Sequence, residues 1–423
     1  MVQAPQRVTP RRFFRMLGVS SDNYPPRRVD VAVLFGEELA GRGHRIDWIL
    51  QSEVACSRAY VAAAAGGGKV WVGPTDLGAS LLRRVRKHWL GIAHDMKLFA
   101  RLRSGDYDFI AVKDKFLAGI FAAVAARLFR KRYVYWLSYP FPEASLLGAR
   151  DGTGRYPILY WIRGSVFSVI LYRIILPVAD HIFVQSEQMR RDVAGRGIPA
   201  AKMTAVPMGI RLASFAIPES TERQVIPASQ RSILYLGTLA RARRLAFMVR
   251  VLAAVQQELP DVKLYLVGSG DDPRDEQELI NEATRLGVLS SLVMTGRLSQ
   301  HEALRYVFEA DVCVSPFFPT PILNSTSPTK LVEYMAMGKA VVANDHPEQR
   351  LVIEQSGGGY CVPYEEDAFA RAIVLLLRAP ELARAMGERG RQYALEHRAY
   401  GLIADRVEQE LLKVAARHQS ALP

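Results

Sequence analysis

Two rhythms of apolar residues alternate along the chain. Short apolar runs, such as residues 108–113 and 132–138, predict buried strands, and stretches with apolar residues three or four positions apart predict amphipathic helices between them. The alternation resumes after residues 207–229, where the periodicity fails and Pro and Ser accumulate. The chain is therefore predicted to contain two α/β domains, each with a doubly wound parallel sheet.

The individual elements follow from the same two rhythms. In the first half, a helix at 29–39 is followed by a strand at 45–50, and the Gly-rich residues 62–68 are predicted to form a loop. Strands in the second half are predicted at 233–237, 262–267, 292–297 and 312–315. Helices are predicted at 247–259, 276–286, 302–309, 367–377 and 400–415.

Residues 81–99 form one predicted amphipathic helix with a strongly basic side. Its apolar positions are Leu81, Val85, Trp89, Ile92, Met96 and Phe99, and its basic residues include Arg83, Arg84, Arg86, Lys87 and Lys97. In one interpretation the apolar side packs on the domain and the basic side is solvated. In the other the basic side rests on anionic lipid, and each basic residue contributes ~1 kcal/mol to membrane binding. The sequence leaves both interpretations open.

A second apolar segment, residues 156–178, is rich in aromatic side chains and interrupted by Arg163 and Arg173. We predict a helix lying across a domain surface, with membrane contact as one interpretation. The most apolar runs, 116–129 and 165–178, are shorter than the ~20 residues that a membrane span needs. No transmembrane helix is therefore predicted.

The net charge of the chain limits the classes of partner that it is expected to bind. A formal net charge of +13 predicts an acidic partner, which can be nucleic acid, a phosphorylated small molecule or an anionic membrane surface. Nucleic acid is disfavoured because the basic residues are not interleaved with an aromatic stacking platform. Cys56, Cys313 and Cys361 lie far apart without a C-x-x-C pair, so neither zinc nor a disulfide framework is predicted. With no apolar run at the start to act as a secretory signal, we expect a cytoplasmic protein.

The most informative stretch is 324–343, where Ser327 is predicted to cap a short helix over 328–337 and Gly338 to end it. Because proline has no amide, the free N–H groups at the helix start belong chiefly to Thr329 and Lys330, and such groups bind anions. Glu333 lies about one turn further on the same face and can accept hydrogen bonds from ligand hydroxyls. A capped core helix with one surface glutamate is the alternative interpretation.

A cluster of arginines follows the predicted strand at 233–237. Arg241, Arg243 and Arg244 stand where a strand leads into a helix, and guanidinium groups match phosphate oxygens well. Cations near a helix N-terminus oppose its dipole unless an anion binds there, which disfavours a simple solvated helix start. This loop and the start of the 328–337 helix therefore predict a diphosphate site.

Three other motifs are compatible with more than one role. Asp114 stands at the carboxyl end of a predicted strand, where it can either transfer protons or cap the next helix. Asp106-Tyr-Asp108 has the spacing of a divalent-metal motif, but acidic residues are routine in turns before strands, so metal binding is not expected. Gly268-Ser-Gly270 is a lone glycine pair and weak evidence for a phosphate loop.

The motifs of the second half carry a resemblance. Between residues 233 and 362 the segments Y-L-G-T-L, L-Y-L-V-G-S-G, V-M-T-G-R-L, A-D-V-C-V-S-P and S-P-T-K-L-V-E-Y-M-A-M-G-K-A-V-V-A follow one another in the order found in glycosyltransferase family 4, whose members have the GT-B fold. The resemblance implies two Rossmann-like domains facing across a cleft. Residues 1–207 would bind the acceptor, 208–395 the donor, and 396–423 would form a helix that returns to the first domain.

The resemblance also implies a nucleotide-sugar donor, with Glu333 at the ribose and Arg243 in the place of a phosphate-binding lysine. Thr329 and Lys330 fall in the diphosphate loop, and the backbone at Arg297 would border the base. The complete set of expected donor-binding residues is Thr238, Arg241, Arg243, Gly268, Arg297, Leu298, Asn324, Ser325, Thr329, Lys330 and Glu333. Asp114 and Arg243 are the expected catalytic residues, and no bound metal or other cofactor is expected.

Two departures from the family pattern affect these expectations. Ser325 stands eight residues before Glu333, where relatives carry a glutamate that contacts the donor sugar, and residues 24–28 replace an N-terminal Gly-Gly loop. We therefore expect a retaining transferase that acts on a saccharide or a lipid-linked surface-polysaccharide precursor, with peripheral contact to an anionic membrane. The alternative is a catalytically idle nucleotide-sugar-binding subunit.

Overall fold

The structure is a computed structural model that describes residues 13–78, 80–151, 156–215, 224–270 and 272–419. The chain folds as two compact units. The first unit runs to Val184, includes Arg190–Val206 and takes in the described part of the chain from Ile403 onward; the second comprises Gln185–Met189 and Pro207–Leu402. Parts of the expected 1–207, 208–395 and 396–423 segments lie outside the described residues, including the whole of 1–12, 216–223 and 420–423.

The first unit is built on an eight-stranded sheet in the order β3-β4-β2-β1-β5-β6-β7-β8. Its strands are β1 (Arg15–Tyr24), β2 (Arg45–Ser52), β3 (Tyr60–Ala63), β4 (Lys69–Gly73), β5 (Phe109–Lys113), β6 (Arg132–Leu137), β7 (His181–Val184) and β8 (Met203–Ala205). Every pair is parallel except β3 with β4. Burial of parallel strands between helical layers explains why β5, β6 and β7 are mostly apolar.

The helices of the first unit connect these strands. They are the π-helix Asp30–Leu39, α1 (Leu81–Asp95), α2 (Leu98–Ser104), α3 (Phe116–Leu128), α4 (Phe141–Arg150), α5 (Pro157–Val169), the π-turn Ile170–Ile175 and α6 (Leu176–Val178), with short 3₁₀ turns at Ala65–Gly67 and Ala200–Lys202. From α5 to α6 the helix is continuous, and we call Pro157–Val178 the surface helix. Within the next helix, α7 (Glu187–Ala194), the chain passes from the second unit back to the first.

The second unit has a six-stranded, wholly parallel sheet in the order β11-β10-β9-β12-β13-β14. The strands are β9 (Ser232–Leu236), β10 (Lys263–Val267), β11 (Leu292–Met294), β12 (Val312–Ser315), β13 (Val341–Asn344) and β14 (Gly359–Val362). The order reverses direction between β9 and β12. In doubly wound sheets ligands bind at such a switch point, outside the carboxyl ends of the strands.

Helices cover both faces of this second sheet. They are α8 (Ala246–Gln256), α9 (Pro273–Arg285), α10 (Gln300–Glu309), α11 (Pro321–Asn324), α12 (Thr329–Ala336), α13 (Pro347–Ser356), α14 (Glu366–Arg378) and α15 (Pro380–His397). The last helix, α16 (Tyr400–Gln419), belongs from Ile403 onward to the first unit. Short 3₁₀ turns lie at Leu212–Phe215, Arg241–Arg243 and Leu289–Ser291. The fold class predicted from the sequence, two doubly wound α/β domains, is confirmed.

Several elements differ from the sequence prediction. Strand β1 was not predicted, because only residues 16–19 of it are apolar, yet it pairs with both β2 and β5 inside the sheet. Part of the predicted 62–68 loop belongs to strand β3. Helices α4 and α15 were not predicted.

For the 81–99 helix, the structure contradicts the interpretation in which the apolar side packs on the domain. Trp89 is 66% exposed, and Val85 and Met96 are exposed too, whereas the buried side chains at the end of α1 are His94 and Asp95. His94 bonds to the carbonyl of Trp71 (3.0 Å), and Asp95 pairs with Lys115 (2.7 Å). Burial lowers the pKa of His94 to about 4, so this histidine is a neutral packing residue near neutral pH.

The surface helix confirms the helix predicted over 156–178, but it is longer than the most apolar runs suggested. The sequence suggested apolar runs too short to cross a membrane, but the continuous helix has 22 residues with a mean hydropathy of 1.5. By length and composition alone it is long enough to span a bilayer. Only 22% of its most apolar 18-residue stretch is buried in the protein, so it is not a core helix.

Candidate functional site

Three glycines shape the carboxyl edge of the second sheet. Gly237, Gly268 and Gly296 follow β9, β10 and β11, and all have positive φ values of 147°, 136° and 69°. A Cβ atom on Gly268 would lie 2.1 Å from the carbonyl oxygen of Gly237. Only glycine allows backbones to approach this closely, so the edge presents main chain to a ligand instead of side chains.

Helix α12 begins beside this edge without a side-chain cap. The prediction that Ser327 caps it is wrong, because the Ser327 hydroxyl accepts a hydrogen bond from the Met208 amide (2.9 Å). Pro328 stands at the cap position and the helix starts at Thr329. The first amides of α12 are therefore available to an anion, as expected from the sequence.

The position of α12 is fixed from within the sheet. The amide of Leu236, the last residue of β9, donates to the buried Tyr334 hydroxyl (2.8 Å). This contact brings Lys330 over the end of β9, so that a Cβ on Gly237 would lie 2.3 Å from Lys330 Cε. Lys330 Nζ also lies 5.3 Å from the centre of the Tyr235 ring. The glycine after β9 thus makes room for the lysine at the start of α12.

The charges at this point are poorly compensated. Burial, with the nearby Arg243 guanidinium second, lowers the pKa of Lys330 to about 8, although Glu333 opposes the shift. Burial also raises the pKa of Glu333, against the effect of Lys330. No described residue forms a hydrogen bond or an ion pair with the Glu333 carboxylate. Two cations and one carboxylate without a hydrogen-bond partner therefore lie close together, an arrangement that a diphosphate with adjacent hydroxyls would complete.

The three arginines after β9 are not equivalent. Arg241 forms an ion pair with Glu278 (2.7 Å), and the Arg244 guanidinium lies 3.6 Å from the centre of the Phe318 ring. Within the described part of the chain Arg243 has no carboxylate partner. The predicted cluster therefore reduces to Arg243 as the guanidinium available to a phosphate, while Thr238 lies exposed at the edge.

The remaining predicted donor residues lie at the borders of this site. Arg297 is exposed just beyond Gly296, and Gly296 forms a β-bridge with Gly268. Leu298 instead packs against the hydrophobic core. Asn324 ends the short helix α11, and Ser325 is buried with its hydroxyl on the Pro321 carbonyl (3.3 Å). Because the Ser325 hydroxyl is buried and already donates its hydrogen bond, it is poorly placed to bind a ligand.

Asp114 lies in the first unit and is fully buried, with a strained φ of 54°. Its oxygens accept hydrogen bonds from the Ser138 amide (2.9 Å), the Ser138 hydroxyl and Arg28 Nη1 (3.1 Å). Neither sequence interpretation of this residue fits the geometry. The carboxylate does not cap α3, and with its oxygens already occupied and inaccessible it is poorly placed to remove a substrate proton.

Sequence reasoning missed the network around Asp114. The buried Lys113 ammonium pairs with Asp30 (2.5 Å) and lies 3.6 Å from Asp114, while Arg28 keeps 42% of its side chain exposed. The available signal was a lone lysine at the end of an apolar strand, since an unpaired buried lysine is costly. Asp114 thus positions Arg28 at the carboxyl edge of the first sheet.

The D-x-D motif has a structural explanation. Asp108 accepts a hydrogen bond from the Arg15 amide (2.7 Å), and Asp106 pairs with the Arg15 side chain. Over the described ranges there is no group of three or more His, Cys, Asp or Glu side chains that could hold a metal ion.

The two doubly wound sheets and the solved structures that superimpose on them define a GT-B fold. Residues 230–379 match the family model described as "Glycosyl transferases group 1", and residues 30–209 match "Glycosyl transferase 4-like domain". Together these matches span most of the chain. The protein belongs to glycosyltransferase family 4.

Similar proteins agree with this assignment. The phosphatidyl-myo-inositol mannosyltransferase of Mycolicibacterium smegmatis is 31% identical over 237 residues, which are 54% of this chain and 57% of the relative. The chain thus spans a little over half the length of this curated relative. Sucrose-phosphate synthase from Thermosynechococcus elongatus superimposes with a TM-score of 0.74 at 19% identity, covering 95% of this chain and 100% of that one. Anabaena Alr3699/HepE, solved in complex with UDP-glucose, gives 0.68 at 16% identity, with coverages of 95% and 100%.

Proposed function

We propose that the protein transfers a sugar from a nucleotide-diphosphate sugar to an acceptor hydroxyl with retention of anomeric configuration. One observation carries the proposal: the uncapped start of α12, Lys330 and the unpaired Arg243 converge beside the glycine edge, with Glu333 one turn further. The UDP-glucose bound by a protein of the same fold supports this type of donor. The family pattern supports retention.

In this proposal the second unit stabilises the leaving group. The bond from the anomeric carbon to the terminal phosphate oxygen breaks, and negative charge builds up on the diphosphate. Arg243, Lys330 and the first amides of α12 stabilise that charge, while Glu333 accepts hydrogen bonds from the ribose hydroxyls. The anomeric carbon then bonds to the acceptor oxygen, whose proton leaves with the diphosphate.

For the acceptor we propose a lipid-linked saccharide or surface-polysaccharide precursor. The mycobacterial relative is named for a phosphatidyl-inositol acceptor, which supports a lipid-linked molecule. In the first unit Arg28, held by Asp114, is a candidate for the acceptor's phosphate. Asp114 then acts through Arg28 as a positioning residue.

The direct test is release of nucleoside diphosphate from a panel of nucleotide sugars. We expect Glu333→Ala and Arg243→Ala each to lower turnover on the preferred donor by about 100-fold or more, a loss typical of removing one charged group from an electrostatic site. Arg371→Ala, which removes an exposed arginine elsewhere in the second unit, should leave turnover unchanged. Unchanged turnover in both site variants would refute the assignment.

A binding subunit without transferase activity is the second candidate function. It is favoured by Ser325, which is buried and occupied where relatives carry a sugar-contacting acid. Tight nucleotide-sugar binding, with neither hydrolysis nor transfer to any acceptor in a lipid extract, would support it over the enzyme.

A further inference from the structure

The surface helix turns an apolar side outward. Ile158, Ile162, Val166, Val169 and Val178 recur at intervals of mostly three or four residues and are all exposed, Ile158 to 78%. Gly164 and Leu171 are buried on its opposite side. A water-facing helix normally shows the reverse, with its polar side outward.

Helix α3 continues this surface. Leu117, Val124 and Leu128 share one side of α3, and all are exposed. The ring of Phe116 stacks on Phe167 of the surface helix with the centroids 4.5 Å apart, so the two helices are neighbours. Their apolar sides therefore belong to one region of the first unit.

Helix α1 packs beside α3 and adds both apolar and basic residues. Leu82, Val85 and Trp89 are exposed, Leu82 to 83%. The exposed cations of α1 are Arg83, Arg84, Arg86 and Lys87. We call the exposed apolar residues of α1, α3 and the surface helix, together with the basic residues among them, the apolar helical face.

The composition of the apolar helical face selects its partner. The one acidic residue in these three helices is Asp95, which is buried against Lys115, so the exposed charges are cationic. A second copy of the chain, meeting the first through the same face, would oppose cation to cation. An anionic bilayer offers acyl chains to the apolar side chains and negative headgroups to the arginines, and exposed Trp89 and Trp161 suit its interface.

The surface helix lies along the protein and does not leave it. A Cβ on Gly164 would lie 2.7 Å from Leu146 Cγ, so the helix packs closely on α4. Arg163 donates to the Ser145 hydroxyl (3.0 Å), which holds a cation at the side of the helix. A helix that crossed a bilayer would have to break these contacts and bring Arg163 and Arg173 into hydrocarbon.

We propose that the apolar helical face docks the protein on an anionic lipid bilayer, with the surface helix in the plane of the interface. The proposal concerns the first unit and does not depend on the donor site of the second. It also gives a lipid-linked acceptor a short route to the protein, in agreement with the proposed function.

The test is flotation of the full-length protein with lipid vesicles of phosphatidylcholine, alone or mixed with phosphatidylglycerol. We expect the protein to float with the mixed vesicles and Ile158→Glu/Ile162→Glu to float at least about fivefold less, because charges on the outward side prevent insertion. Arg83→Glu/Arg84→Glu should also float less, most clearly at low salt, where headgroup charges are least screened. Leu351→Glu/Leu382→Glu, a matched pair at exposed leucines of the second unit, should float like the wild type.

Three outcomes would overturn the proposal. Equal flotation of the Ile158/Ile162 variant and the wild type would exclude insertion by this face, provided circular dichroism shows both folded. Retention of the protein on membranes after an alkaline carbonate wash would indicate a spanning helix. Self-association that is lost in the Ile158/Ile162 variant, without vesicle binding by the wild type, would assign the face to a second copy. Nucleotide binding in solution stays measurable in each variant, so failure of docking is distinguishable from failure of the donor site.

Discussion

The surroundings of Lys330 disfavour the charged form of its side chain. Burial and the neighbouring Arg243 lower its pKa to about 8, so near neutral pH part of the population has already lost the proton that a diphosphate would need. A bound anion favours the protonated form and raises this pKa. In the proposed site, binding of a diphosphate and proton uptake at Lys330 are therefore linked.

This linkage predicts how affinity depends on pH. As the pH rises through about 8, the free protein loses the Lys330 proton, and binding of nucleoside diphosphate must take one up. We expect affinity to fall by up to tenfold per pH unit between about pH 8 and 9.5, a range in which the diphosphate is fully ionised. Isothermal titration calorimetry of the wild type and Lys330→Met measures this. The variant should bind more weakly at pH 7 and lack most of the slope, and parallel slopes would exclude Lys330 as the linked group.

At Asp114 the structure changes the chemistry that the sequence suggested. The strand end and the acidic residue were recognisable, but not the three groups that occupy its oxygens, because Arg28 and Ser138 come from distant parts of the chain. Similarly, the arginine cluster was recognisable, whereas its division into Arg243 and two engaged neighbours depends on Glu278 and Phe318. Pairing between distant side chains is what a single sequence hides.

At the level of elements, α12 depends on one hydrogen bond into the sheet. The Leu236 amide and the Tyr334 hydroxyl are both inside the unit, so Tyr334→Phe leaves a donor without a partner. We expect the free energy of unfolding to fall by about 1–3 kcal/mol. Because the helix start is also less firmly held, affinity for nucleoside diphosphate should fall.

Chemical denaturation and calorimetry of Tyr334→Phe check both effects. Tyr306→Phe is the matched control, because its hydroxyl makes no hydrogen bond to another described residue. If the two variants lost equal stability, the contact between β9 and α12 would not be what positions the helix.

The elements that the sequence predicted well are those whose pattern is local. The apolar strands β9, β10 and β12 fall within one residue of their expected limits. Strand β9 is shifted by one residue toward the N-terminus, β10 begins one residue later than expected, and β12 has the expected limits. Strand β1 was missed because Gly18 and polar residues interrupt it, and its burial is imposed by neighbours on both sides. The prediction that Ser327 caps α12 was wrong because of another distant contact. The Ser327 hydroxyl accepts a hydrogen bond from the amide of Met208, which is far away in the sequence.

Over the whole molecule, the C-terminal helix α16 contributes directly to the first unit. Glu408 accepts hydrogen bonds from Arg42 Nη1 (2.6 Å) and bonds to His44 Nε2 (2.7 Å). Burial raises the pKa of Glu408, but the bonds with Arg42 and His44 outweigh burial and the net pKa is lowered. Charged hydrogen bonds from Glu408 therefore connect the final helix to residues 42–44 in the N-terminal part of the chain.

This contact predicts a pH-dependent stability. We expect Glu408→Gln to lower the free energy of unfolding of the first unit by about 1–3 kcal/mol at pH 7. Because the folded-state pKa of Glu408 is depressed, the stabilisation is complete above its unfolded-state pKa and disappears as the pH falls through the folded value. Denaturation at pH 7 and at about pH 3.5 should show the difference between wild type and variant shrinking with acid. A difference that stayed constant would mean that the Glu408 charge is not what matters.

The central claim is that Glu333 holds the ribose of the donor while Arg243 and the α12 start hold its diphosphate. Calorimetric titration of a nucleoside diphosphate and of its 2′,3′-dideoxy analogue into wild type, Glu333→Gln and Arg243→Ala tests it most directly. We predict that Glu333→Gln weakens the natural ligand by about tenfold or more but the dideoxy analogue hardly at all, since a hydrogen bond to a charged group is worth about 1.5–3 kcal/mol. Arg243→Ala should weaken both ligands equally. Equal losses for both ligands in Glu333→Gln, or no loss in either variant, would contradict the account.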